Sequence, residues 1–162
     1  MRPSTSASEP VDNIELRTRV SAADLLASYQ FLADSGKTRE LSELFVADAV
    51  YKTNTDELVG REAIFDFFRR TADAFVSAGF FPARHHLSSV HIEPRPDGSA
   101  ATYACFQLVG SGGLDHWGTY RDEVVRADDG WRFARRKVKV EGHIPASRVV
   151  SLLGLPAAGA DA

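Results

Sequence analysis

The sequence holds a single cysteine, Cys105, so no internal disulfide can form and a reducing compartment is the expected setting. It has no apolar run near the ~20 residues that a membrane-spanning helix needs. The residues after Met1 are Arg, Pro, Ser and Thr rather than the apolar core of a signal peptide, so a cytoplasmic location with no membrane partner is expected. Charge of one sign is not in excess either. A net charge of -3 over 162 residues, with the basic stretch 135–139 lacking interleaved aromatics, argues against a nucleic-acid partner. No spaced Cys/His/carboxylate cluster offers a metal site, and no G-x-S-x-G elbow offers a serine nucleophile. The glycine-rich stretch 110–113 precedes a strand pattern, so it lacks the helix N-terminus that cradles phosphates. No metal and no cofactor are expected, and Cys105, amid apolar strand residues, is expected to pack rather than react.

What is present is the composition of an ordinary globular domain, 44% hydrophobic and 25% charged, long enough for one core. Residues 1–13 are polar and serine-rich and read as a disordered tail. Ser21 and Asp24 look like a helix start, followed by Leu25, Tyr29 and Leu32 at helical spacing and by Gly36 as a stop. Thr38 opens a short second helix. Residues 48–53 read as a strand running into a polar loop at 54–57. A third helix follows Gly60, with Ile64, Phe68, Thr71 and Phe75 on one face and Gly79 at its end.

After it come strand patterns at 84–92, 100–109, 115–126 and 131–141, with Asp128, Asp129 and Gly130 making a tight turn. Pro145 opens a short amphipathic piece with Val149, Leu152 and Leu153, which is expected to cap the cavity mouth. The division is therefore a tail (1–13), a domain (14–144) and a C-terminal helix and tail (145–162). Three helices followed by a run of strands argue an α+β fold: a cone with the helices packed on a curved antiparallel sheet. The inside of such a cone is a natural small-molecule cavity.

The residues for chemistry cluster around the strand 84–92. Strand side chains alternate between faces, so His86, Ser88, Val90 and Ile92 share one side. The β-branched pair Val90 and Ile92 marks that side as inward, which places His86 in the cavity and His85 outside. A neutral imidazole there is a proton carrier near pH 7. Asp34, in the last turn of its helix, is opposed by the helix dipole, and either a histidine partner compensates or the carboxylate serves an Asx-type turn into Ser35 and Gly36. Tyr29 lies on the apolar face of its helix, and its hydroxyl needs a partner when buried. Asp122 alternates in phase with His116, Tyr120 and Val124 and is either a buried neutral carboxyl or the partner of an arginine on a neighbouring strand. Arg136 shares a face with Val138 and Val140, which reads as solvated or subunit-contacting.

The stretches 29–36 (YQFLADSG), 41–51 (LSELFVADAVY), 60–68 (GREAIFDFF), 84–90 (RHHLSSV) and 118–136 (GTYRDEVVRADDGWRFARR) resemble the nuclear transport factor 2-like superfamily, and within it the SnoaL-like group. The likeness spans residues 20–142. It implies the cone fold but not one activity, since the superfamily includes dehydratases, isomerases, cyclases and inert binders. Compared with dehydratases of the scytalone and bile-acid type, Asp34 matches the helix-end aspartate, Tyr29 and Tyr51 the tyrosines, and His86 the histidine. Compared with ketosteroid isomerase, Tyr29 and Asp122 match the oxyanion clamp, but Lys52, Thr53 and Asn54 stand where the base belongs.

The expectation is a cofactor-independent lyase of dehydratase type. Its substrate is a small, hydrophobic, polycyclic or polyketide- or steroid-like hydroxy carbonyl. His86, Asp34, Tyr29 and Tyr51 are the catalytic set, and Asp122, His116, Phe68, Tyr120 and Trp131 contact substrate. The alternatives are a polyketide cyclase or isomerase of the same fold, and a non-catalytic binding module whose cone is filled by Phe65, Phe68, Phe75 and Trp131. A homodimer through the outer sheet face, using Trp117, Thr119, Val138 and Val140, completes the reading.

Overall fold

The computed structural model describes residues 13–147 and Val149. Three helices, α1 (Asn13–Asp34), α2 (Thr38–Glu43) and α3 (Arg61–Ser77), accompany six strands. The strands are β1 (Phe45–Lys52), β2 (Glu57–Val59), β3 (Arg84–Pro94), β4 (Ala100–Gly110), β5 (Gly113–Ala127) and β6 (Gly130–His143). They form one curved, unclosed sheet in the order β2-β1-β6-β5-β4-β3. The three helices and curved sheet are as the sequence predicts. The sheet is mixed rather than wholly antiparallel, because β1 runs parallel to β6.

Helix α1 begins at Asn13, so Ser21 lies within it and caps nothing. The helix runs eight residues further toward the N-terminus than the Ser21 and Asp24 pair suggests. Leu25, Leu26 and Tyr29 bury one face of the helix, and Gly36, at φ 68°, turns the chain out of it. Along α3, Ile64, Phe68 and Phe75 are buried as their spacing predicts. Full burial of each such side chain stabilises the fold by about 1.5–3 kcal/mol relative to exposure.

The outer strand β3 leaves one backbone edge toward α1, which is tied to it at both ends. The Arg19 guanidinium donates to the Ile92 carbonyl, and the Asp34 carboxylate accepts from the His85 amide. After β6, Pro145 and Ala146 form a turn. The helix expected to follow, with Leu152 and Leu153, lies outside the described residues, as does the expected tail of residues 1–13 up to residue 12, while Asn13 begins α1. No helix among the described residues is long and apolar enough to cross a membrane.

Candidate functional site

A cavity of about 340 Å³ lies between α1, α3 and the concave face of the sheet. Phe67, Phe68 and Phe75 from α3, Phe106 and Leu108 from β4, and Val138 and Val140 from β6 line it. Its rim includes residues 53–56. The Asn54 side-chain amide donates to the Val140 carbonyl at 2.9 Å and accepts from the Val140 amide at 2.8 Å, which hangs this loop on β6.

On the cavity wall, His85 Nδ1 stands 2.7 Å from Asp34 Oδ1. The same carboxylate accepts from the His85 backbone amide, at 3.2 Å to each oxygen. The histidine partner foreseen for Asp34 is thus present, but it is His85. His86 is exposed on the opposite face.

The cause is a β-bulge. Ser88 pairs with Cys105 and His91 with Tyr103, so β3 spends three steps where β4 spends two. Ser89 absorbs the extra residue at φ 51°. Ile92 therefore shares its inward face with His85 and Leu87 rather than with His86. Val90, offered as an inward marker, is 47% exposed within the bulge.

A second bulge builds a second imidazole site. Leu108 pairs with His116 but Val109 pairs with Leu114, which leaves Asp115 as the extra residue of β5. Neighbouring residues on a regular strand point apart. Here Asp115 and His116 are both buried, and His116 Nδ1 lies 2.9 Å from Asp115 Oδ1. His116 lines the cavity, as proposed for it, and the rings of His85 and His116 flank Phe106. Burial pushes the His116 pKa below its ordinary value, opposed by Asp115 and reinforced weakly by His85 and His143.

The tyrosines also converge. The Tyr29 and Tyr51 hydroxyls are 3.3 Å apart, and both residues, with Tyr120, line the cavity. Burial raises the pKa of each phenol, well above the ordinary value for Tyr51 and Tyr120, so all three are protonated hydrogen-bond donors at neutral pH.

Behind them sits Arg136, fully buried, 4.0 Å from the Tyr29 ring centroid and 4.2 Å from that of Tyr120. Arg136 donates two bonds to Asp122, at 2.9 and 3.0 Å, and Thr102 adds a third at 3.0 Å. Burial works against the guanidinium charge, but Asp122 and the phenols together hold its pKa above the ordinary arginine value.

Four expectations are corrected by this arrangement. Asp122 does not line the cavity as a substrate contact or an arm of an oxyanion clamp; the other reading open for it, the ion-pair partner of an adjacent-strand arginine, is the one the structure holds. Arg136 is core rather than solvated, because it stands opposite Asp122 on the inward face. Val138 and Val140, opposite Tyr120 and Gly118, point inward for the same reason and cannot pack a twin copy. Trp131 lies away from the cavity, beside Ile14, Arg17 and Arg126, because the register places it opposite Arg126 at the far end of the sheet. Phe68 and Tyr120 line the cavity, while Phe65 stacks on Arg39 instead of filling the cone.

Sequence reasoning missed His85 and Asp115, each hidden by a bulge. The doublet His85-His86 and the adjacent pair Asp115-His116 were the available signals. Among the described residues no group of three potential metal ligands converges.

A sequence profile of the SnoaL-like domain matches residues 15–137. No curated protein sequence matches the chain. Among solved structures, the chain is similar to a nuclear transport factor 2-like protein with a cystatin-like fold from Novosphingobium aromaticivorans. That likeness has 26% identity, coverage of 89% of this chain and 98% of that one, and a TM-score of 0.70. It shares its fold with a candidate scytalone dehydratase of the same organism (20% identity, 92% and 99% coverage, TM-score 0.68). The same holds for Aln2 from a Streptomyces species (23% identity, 81% and 94% coverage, TM-score 0.69).

Proposed function

From the premise that this chain belongs to the SnoaL-like domain family, we propose that it is a lyase of dehydratase type that removes water from a small, hydrophobic, polycyclic β-hydroxy carbonyl. The observation that carries this reading is the His85–Asp34 pair at 2.7 Å on the wall of a cavity that also receives the Tyr29 and Tyr51 hydroxyls.

Each group has a task suited to its chemistry. Tyr29 and Tyr51 donate hydrogen bonds to the carbonyl oxygen, where negative charge grows as the adjacent C–H bond breaks. The Nε2 atom of His85 takes that proton, and the electron pair moves into an enolate. Asp34 holds the ring through Nδ1 and favours the imidazolium so formed. The enolate then expels the β-hydroxyl, which accepts the proton from His85 and leaves as water. The product is the conjugated enone or its aromatic tautomer, and the side chains return to their starting protonation. No step draws on a cofactor.

The test is the conversion of 3-hydroxy-1-tetralone to 1-naphthol, followed by absorbance. Wild-type protein accelerates it, and His85→Ala loses about 100-fold or more, the usual worth of a placed acid–base group. Turnover by His85→Ala within a few-fold of wild type would sink the mechanism.

We also propose a homodimer through the outer face of the sheet, which no described helix covers. With Val138 and Val140 turned inward, the outward Trp117, 37% exposed, is its apolar centre. Light scattering at micromolar concentration checks it, and a monomer mass refutes it.

A further inference from the structure

The turn after β6 reaches back to the buried acid beside the second imidazole. The Ile144 amide donates to the Asp115 carbonyl at 2.9 Å, and the Ser147 hydroxyl donates to Asp115 Oδ1 at 2.7 Å. That oxygen is the one facing His116 Nδ1. Two residues on, Val149 is fully buried with Phe75, Phe80, Ala83 and Leu108. The segment is thus pinned twice: by a polar contact to Asp115 and by an apolar plug against the cavity-lining Phe75 and Leu108.

We propose that residues 144–147, together with Val149, form a strap that sets the tautomer of His116, with Ser147 and Asp115 as positioning residues for a second proton-carrying group in the cavity. The inference rests on reading the cavity as an acid–base site. The Asp115 carboxylate accepts only, so it requires Nδ1 to carry the proton. The Nε2 lone pair is then the one left to accept a proton inside the cavity. The Ser147 hydroxyl fixes the carboxylate in that pose, and docking of Val149 keeps water from the pair. His85 and His143 are the other titratable groups that act on this ring. An undocked strap leaves Asp115 hydrated and free to turn. Strap docking and the readiness of His116 are therefore one event.

The test uses full-length, ¹⁵N-labelled protein and long-range ¹H–¹⁵N correlation of the histidine rings, with His116→Gln to assign the signal. Wild type is expected to show His116 as the Nδ1–H tautomer. Ser147→Ala is expected to give a mixture of tautomers and an upward shift of the His116 titration midpoint, since both hydration and a less occupied Asp115 oxygen favour the imidazolium. Ser147→Thr restores the wild-type signal, and the His85 tautomer stays as in wild type throughout. A His116 tautomer and midpoint in Ser147→Ala equal to those of wild type would overturn the strap's role. An absence of tetralone turnover with these shifts present would instead remove the dehydratase reading and leave the strap intact.

Discussion

Two of the carboxylates paired with cationic or protonatable partners, Asp122 on the concave face of the sheet and Asp34 at the end of α1, behave as opposites. Arg136 lies between aromatic rings and pairs with Asp122, both side chains wholly buried, whereas Asp34 and His85 stand on the cavity wall at 14% and 19% exposure. The first pair joins a carboxylate to a group that never gives up its proton, and no substrate reaches it. The second joins a carboxylate to an imidazole, a group that can both take and give a proton, in a place a ligand can enter. One pairing motif thus serves architecture at one depth and chemistry at another. The partner's proton affinity and the access to it decide which.

The comparison breaks most visibly at the buried pair. Arg136→Met strands a buried carboxylate and is expected to cost about 3–5 kcal/mol in chemical denaturation, while the double change Asp122→Leu with Arg136→Met recovers most of that loss. At the cavity wall the same operation moves function instead: His85→Ala loses ~100-fold or more in tetralone turnover, with little change in the denaturation midpoint.

Tyr51→Phe removes one end of the hydroxyl pair and is expected to destabilise by about 1 kcal/mol, read by denaturation. Acidification sharpens the contrast further. Burial holds His116 below its ordinary value of 6.5, so the folded chain binds fewer protons there than the unfolded one. This contribution to stability is full above that value and is lost as pH falls below it, so the melting temperature drops and His116→Gln flattens the drop. The smallest effect is at Trp131, where replacement by Ala leaves ligand affinity in the cavity unchanged by titration.

The periodic parts of this molecule were legible in the residues. Ile64, Phe68 and Phe75 announced the buried face of α3, and the turn glycines marked element ends, because helical spacing and positive-φ positions are local properties. A histidine partner for Asp34 was one of two readings of a carboxylate at the wrong end of a helix dipole, beside a local Asx-type turn, and it is the one that holds. Which histidine it would be was not legible. The inward face of β3 was read from Val90 and Ile92, and one extra residue between them and the doublet reversed the answer. Asp115 was lost to the same assumption of unbroken alternation. Arg136 looked solvated because its carboxylate sits fourteen positions away, a separation that only the β5–β6 register brings to contact.

The bulge at Ser89 acts as a phase setting for everything before it on β3. Were the strand to run on unbroken with all its residues, that part of it would turn over, yet the doublet would still deliver an imidazole to the hollow, with His86 taking the inner place and His85 the outer. A strand with a single histidine would lose its inward ring altogether under the same slip. The repeated residue therefore makes the presence of the inner base insensitive to a one-step error in alignment. Only the fit to Asp34 records which of the two rings has arrived.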